Sequence, residues 1–161
     1  MTGQQRLSLG LRNLLFLVVV PASGAVYGPW WILARSQSSP HPVVWPAVTV
    51  IVFGLGLYLW CVWVFALTGH GTPAPWDAPS RFVAVGPYRW VRNPIYIAAF
   101  LVIGGEALLF LSLQLTLYLA VLAIGTHIFV VGYEEPTLRR RFGEQYESYV
   151  RTVDRWVPGR P

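Results

Sequence analysis

From Val43 to Leu67 the chain runs without a single charged side chain. About 20 apolar residues in helical form cross the hydrocarbon core of a bilayer, so this stretch predicts a membrane-spanning helix. A second apolar stretch, Leu11 to Leu33, meets the same length. A third runs from about Pro94 to Leu111 and a fourth from about Leu113 to Tyr133. Only the polar region at Ser112 separates the last two, which predicts a tight helical hairpin. With 55% hydrophobic and 12% charged residues, the chain lacks the polar surface that a water-soluble globule of this size needs. The expected fold is therefore all-α: an integral membrane bundle of about four transmembrane helices, followed by an amphipathic helix on the membrane interface. Residues 1–67 supply the first two spans, and residues 68–161 the loop, hairpin and tail.

Arginine carries all of the positive charge behind the net +5, because the chain has no lysine. Arg6 and Arg12 lie on the N-terminal side of the first span, Arg81, Arg89 and Arg92 fall between the second and third, and Arg139 to Arg141 follow the fourth. Arg35 alone falls on the opposite side. The positive-inside rule then places both termini in the cytoplasm. Arg6 and Arg12 before an apolar run ending in Pro21-Ala22-Ser23 resemble a secretory signal, but the apolar stretch continues past that point and reads as a retained helix kinked at Pro21.

Trp30, Trp31 and Trp45 lie near span ends, where they serve as interfacial anchors. Gly54, Gly56, Gly104 and Gly105 are expected to let helices approach closely. Gly54-Leu55-Gly56 follows no strand, so it is no dinucleotide fingerprint. The lone Cys61 rules out an intrachain disulfide and a thiolate metal cluster, and reads as packing. No metal site is expected.

The longest polar connection, Thr68 to Asn93, contains Pro73, Pro75 and Pro79, which forbid a continuous helix. It ends in Gly86-Pro87-Tyr88-Arg89-Trp90-Val91-Arg92-Asn93-Pro94-Ile95-Tyr96. Asn93 before Pro94 is a helix start, with Asn as cap and Pro at the first helical position. The positive end of that helix dipole, beside Arg92, suits an anion. Span four leads into Glu134-Glu135-Pro136, and two adjacent carboxylates at the end of an apolar helix require solvent or partners. The hairpin brings Arg92, Asn93 and Tyr96 to face Glu134 and Glu135. Two readings fit that meeting: a structural Arg-Glu pair closing the hairpin, or a pocket for a zwitterionic cofactor. His127 lies seven residues before Glu134, on nearly the same helical face, and is the candidate base if an acceptor must lose a proton. Glu106, deep in the third span, is expected to face the bundle or a cavity. Leu138, Phe142, Tyr146 and Tyr149 recur at helical spacing and mark an amphipathic helix lying on the interface or folding back as a lid.

The pattern Gly86-Pro87-Tyr88-Arg89-x-Val91-Arg92-Asn93-Pro94-x-Tyr96, followed by Glu134-Glu135-Pro136-x-Leu138, Phe142-Gly143 and Tyr146-x-x-Tyr149, resembles the isoprenylcysteine carboxyl methyltransferase and phospholipid methyltransferase group. The resemblance spans about Thr68 to Pro158, and no signature of the group is read in the first two spans. It implies a membrane methyltransferase that binds S-adenosyl-L-methionine in a cytoplasm-facing pocket. Val83, Tyr88, Asn93, Pro94, Ile95, Tyr96, Glu134 and Glu135 would contact the cofactor. Arg92, able to hold a carboxylate bidentately, and His127 are the catalytic candidates. Asn93 stands where eukaryotic members carry histidine. The arginine those members direct at the prenylcysteine carboxylate falls on Val130, so the resemblance does not extend to that acceptor. The expected substrate is a lipophilic small molecule or lipid reached from the bilayer, with no nucleic-acid partner. Phospholipid or amine N-methylation is the alternative chemistry, and a non-catalytic membrane scaffold the alternative class. Four spans without an internal repeat offer little for a transporter.

Overall fold

The computed structural model describes residues 23–36, 38–40, 44–68 and 82–158. The expectations placed on Leu11 to Ala22, the Pro21 kink and the prolines at 73, 75 and 79 fall outside them. Every element among the described residues is helical. A π-helical turn, Ser23–Tyr27, leads into α1, Gly28–Ser36. The long helix α2, Trp45–Thr68, is followed after the loop by a 3-10 turn, Gly86–Arg89. Helices α3, Pro94–Phe110, and α4, Leu113–Phe129, form the hairpin. A second π-helical turn, Val130–Glu134, joins α4 to α5, Glu135–Phe142, and α6 spans Glu144–Thr152.

Among the described residues two helical stretches, Trp45–Phe65 and Leu113–Phe142, are long and apolar enough to cross a membrane, fewer than the four expected of the chain; most of the first expected span lies outside the described residues. Only 17% and 11% of their apolar windows are buried inside the protein, whereas the core helix of a soluble protein would hide most of its surface. Val52, Phe53, Leu59 and Trp63 of α2 and Leu117, Val121, Ile124 and Ile128 of α4 all point outward. Lipid is the medium that solvates such faces. Helix α3, at 17 residues, rises about 25 Å, short of the roughly 30 Å hydrocarbon thickness. It is the helix with the most buried positions, including Ala98, Val102, Ile103, Gly105 and Ala107, and its neighbours shield it.

The contact between α2 and α3 depends on two glycines. A Cβ at Gly54 would sit 2.9 Å from the Ala98 carbonyl oxygen and 3.0 Å from Leu101 Cβ; one at Gly105 would sit 3.0 Å from the Ala47 carbonyl oxygen and 2.5 Å from Ile51 Cγ1. Small residues permit this close approach, and dispersion across the contact holds it together. The other two glycines differ from expectation: Gly56 faces open space, and Gly104 makes an ordinary contact, 3.6 Å from Leu119.

The α3–α4 hairpin is as tight as the sequence implies. Leu111 takes the left-handed conformation (φ 44°), and its N–H reaches the Ala107 and Leu108 carbonyls. Ser112 caps α4 by accepting a hydrogen bond from the Leu115 N–H at 3.3 Å. The Ser23–Tyr27 turn is tied to this hairpin by the Tyr118 hydroxyl, which donates to the Gly24 carbonyl at 2.9 Å.

At the other end of the hairpin, the helical stretch from Leu113 continues to Phe142, 30 residues in all. At 1.5 Å per residue it rises about 45 Å, more than the roughly 30 Å hydrocarbon thickness, and Glu134 and Glu135 lie in its upper part. Pro136 does not break it, because the preceding turn bonds i to i+5, with the Glu135 N–H on the Val130 carbonyl. That slack relieves the clash a proline makes inside an α-helix. The single amphipathic helix expected after Pro136 is instead two, broken at Gly143, whose φ of 51° favours glycine.

Replacing Gly54 with alanine is expected to lower the melting temperature in detergent, because a backbone carbonyl blocks the new methyl group. The same change at Gly56 should leave it unchanged or raise it, since alanine is the better helix former by about 1 kcal/mol. Equal shifts in thermal unfolding of the two variants would contradict this packing.

Candidate active site

Loop 82–91, the start of α3, the Val130–Glu134 turn, α5 and α6 surround one cleft at the end of the bundle. Its polar floor comes from the residues that the hairpin was expected to bring together. The Arg92 Nη1 donates to Glu135 Oε1 at 3.0 Å, and the Tyr96 hydroxyl donates to Glu134 Oε2 at 2.9 Å. The two carboxylates are not equivalent. Glu135 also receives Arg155 Nε at 2.6 Å and Arg155 Nη2 at 3.1 Å, so two guanidiniums share one buried carboxylate. Glu134 makes no ion pair among the described residues. The Arg92 Nε is buried without a hydrogen-bond partner. The cleft is therefore lined by an arginine with one buried donor unmet and by an acid without an ion pair among the described residues.

Asn93 is buried at the first turn of α3, but its side chain does not cap that helix. Its Nδ2 instead donates to the Arg155 carbonyl at 3.2 Å, which leaves the helix end without a side-chain cap and keeps its positive character. Val83, Tyr88, Ile95 and Tyr96 line the cleft with Arg92, Asn93, Glu134 and Glu135. Pro94 does not; it is buried as the first residue of α3, where its missing N–H is tolerated. Tyr88 packs edge-on against Phe65, and its carbonyl accepts the Tyr149 hydroxyl at 2.6 Å. Its own hydroxyl lies beside the Cys61 thiol without a hydrogen bond of good geometry. Burial pushes the Tyr88, Tyr146 and Tyr149 phenols up, so all three remain neutral donors.

The opposite wall is aromatic. Phe82 lies 5.4 Å from Phe142, 5.8 Å from Tyr146 and 5.0 Å from Tyr149, measured between ring centroids. Together with Leu138, the helical stripe at 142, 146 and 149 lines the cleft, with Gly143 as its corner. Phe65 and Phe82 were not picked out from sequence. Phe65 is one aromatic among many in α2, and Phe82 has no neighbour in the chain that marks it.

His127 is not where the sequence places it. It is exposed and lies outside the cleft, with Nδ1 accepting the Trp156 indole N–H at 3.0 Å. The seven-residue register that put it on the Glu134 face assumes an unbroken α-helix, and the intervening π-helical turn winds less per residue. Glu106 is also remote, 13 residues up α3 from Asn93, roughly 20 Å along the axis. One of its carboxylate oxygens is buried without a partner.

The tail after α6 returns over the hairpin as a short strap. The Arg92 N–H donates to the Asp154 carbonyl at 2.9 Å. The Trp156 ring lies 6.5 Å from Tyr96, 6.2 Å from Phe100 and 6.1 Å from His127, between centroids. In sequence, Arg155 and Trp156 look like any other polar and aromatic residues of a basic tail.

Residues 43–145 match the family model described as phospholipid methyltransferase. The match covers more than half of the chain, and the chain belongs to that family of methyltransferases, consistent with its outward-facing apolar helices. The family region begins upstream of Thr68 and takes in α2, where the sequence carried no recognised signature. It ends before the strap. No curated protein matches the chain significantly.

Because the Glu106 oxygen is buried and unpartnered, Glu106→Gln or Glu106→Leu is expected to stabilise the protein by about 1 kcal/mol or more. Neither change should alter ligand binding at the distant cleft. A lower melting temperature for both variants would mean that the carboxylate has a structural partner.

Proposed function

We propose that the chain transfers a methyl group from S-adenosyl-L-methionine to a lipophilic acceptor held in the membrane, and that the cleft between α3 and α5 is where transfer occurs. The pairing of unused groups in one cavity carries this reading. The unpartnered Arg92 Nε and the uncapped start of α3 suit a carboxylate, while Glu134, without a cation of its own, suits an ammonium. An amino-acid moiety presents both charges. Phe82, Phe142, Tyr146 and Tyr149 offer flat apolar faces to the remainder of the ligand. When bound, the cofactor supplies an electrophilic methyl group on a sulfonium. The protein supplies alignment, through the hydrogen-bonded Tyr96–Glu134 pair, and exclusion of water, through the α5–α6 lid. In this reading residues 68–161 carry the chemistry, with Phe65 of α2 completing the wall. The arginine distribution supports a cytoplasmic position for the cleft and both termini.

A scaffold would not need a buried guanidinium nitrogen left unpaired. The cost of leaving such a donor unmet is about 1–3 kcal/mol, which is more economically explained by a ligand. Calorimetric titration of the detergent-purified protein with S-adenosyl-L-methionine tests the reading. Wild type is expected to bind, and Glu134→Ala and Asn93→Ala to bind at least tenfold more weakly, about 1.4 kcal/mol. A well-folded wild type that shows no binding would sink the methyltransferase reading and leave the scaffold ahead.

One observation favours amine N-methylation over carboxyl methylation. Val130 lines the cleft, apolar and 1% exposed, at the position where prenylcysteine methylation would place a cation. In this reading Arg92 is taken by the carboxylate of the cofactor and Arg155 by Glu135, so a carboxylate acceptor would meet Glu134 without a further guanidinium. An amine headgroup avoids that repulsion; it would react as the neutral amine, its C–N bond forming as the C–S bond of the sulfonium breaks, with its proton released to solvent. In vesicles or detergent, labelled methyl is expected on an ethanolamine phospholipid and not on a prenylated cysteine carboxylate; the reverse pattern would reject the amine reading.

A further inference from the structure

The strap Val153–Trp156 lies beyond the region matched to the family, yet it touches both halves of the polar floor. Its Arg155 forks onto Glu135, with Nε on Oε1 at 2.6 Å and Nη2 on Oε2 at 3.1 Å. That leaves Arg92 a single contact to Glu135, through Nη1 at 3.0 Å, with its Nε free of any partner. The next residue, Trp156, sets its ring against Tyr96, whose hydroxyl is committed to Glu134. Trp156 is itself anchored by its indole N–H on His127. Two main-chain contacts, Arg92 N–H to the Asp154 carbonyl and Asn93 Nδ2 to the Arg155 carbonyl, fix the strap to the start of α3.

We infer that Arg155 and Trp156 are positioning residues of this active site, Arg155 acting through Glu135 and Arg92, and Trp156 acting through Tyr96 and Glu134. The inference rests on the cofactor reading of the cleft. Its physical basis is competition for one carboxylate. A buried Glu135 deprived of Arg155 has an oxygen without a donor, and Arg92 is the nearest remaining cation. Arg92 would then close onto Glu135 with both ends of its guanidinium, as arginine–carboxylate pairs prefer, and would be drawn out of the cleft lining. Arg155 thus keeps Arg92 available by satisfying the carboxylate that would otherwise consume it. Trp156 limits the swing of the Tyr96 ring and so holds the Tyr96–Glu134 hydrogen bond at the cleft. His127, exposed and bonded to Trp156, serves this strap as an anchor.

The test is S-adenosyl-L-methionine affinity by calorimetry on the full chain, with folding checked by circular dichroism and thermal unfolding for each variant. Arg155→Ala is expected to weaken binding about tenfold. Arg155→Lys, which keeps the charge but cannot fork onto both oxygens, should recover part of that loss. Trp156→Phe, which keeps a ring against Tyr96, should bind nearly as wild type, while Trp156→Ala should lose about fivefold. Where an acceptor is in hand, the Arg155 loss should appear in the KM for the cofactor more than in kcat. A purely structural strap would lower the melting temperature and leave the affinity of the folded fraction unchanged. Wild-type affinity in folded Arg155→Ala, or in Arg155→Lys should the alanine variant not fold, overturns the inference while leaving the cofactor reading intact. A wild type that does not bind overturns both.

Discussion

Glu135 is buried at the end of a long apolar helix, and two guanidiniums converge on it from parts of the chain that are far apart in sequence. Taking a carboxylate out of water costs several kcal/mol, and removing one partner from such a buried group costs about 3–5 kcal/mol. The loop before α3, the start of α5 and the strap must therefore all arrive for the site to exist. Each arginine comes from a different segment, so the carboxylate is where the local structures of the hairpin end are joined. The lid helix α6 is held from the same direction, because Tyr149 bonds the loop carbonyl of Tyr88.

What the sequence makes legible follows from how local the determining physics is. Apolar length predicts α2 and the rod that begins with α4, and Asn93-Pro94 correctly marks the start of α3. The meeting of Arg92 with Glu135, and of Tyr96 with Glu134, follows from the hairpin alone, since Ser112 leaves no other way to connect α3 and α4. The errors concern features set by non-local packing. Asn93 has the residue type of a cap but gives its side chain to Arg155, whose approach no local signal announces. Although its seven-residue spacing from Glu134 predicts a place in the cleft, His127 does not line it, because a π-helical turn changes the register, and Val130 to Glu134 carries no proline or other mark of it. Gly54 and Gly56 look alike in sequence, and only the position of α3 makes one of them necessary.

The same reasoning separates the two carboxylates, which sequence presents as a pair. Glu135 points to the strap and is held by two guanidiniums, whereas Glu134 points to Tyr96 and has no ion pair among the described residues. Adjacent residues on a helix diverge by about 100°, so one acid can organise the site while its neighbour serves it. This division of labour explains why a motif of two glutamates need not mean two acids of equal role.

The helical stretch from Leu113 to Phe142 has one further consequence. Because α4 passes into α5 through the π-helical turn without a loop, the carboxylates at its upper end have no hinge between them and the lipid-facing residues below. Their height above the hydrocarbon is set by how deeply Leu117, Val121, Ile124 and Ile128 sit in the bilayer. A thicker membrane draws the upper turns toward the acyl chains or makes the rod stand more upright, and a thinner one tilts it. The position of the cleft relative to the membrane surface thereby follows the thickness of the bilayer.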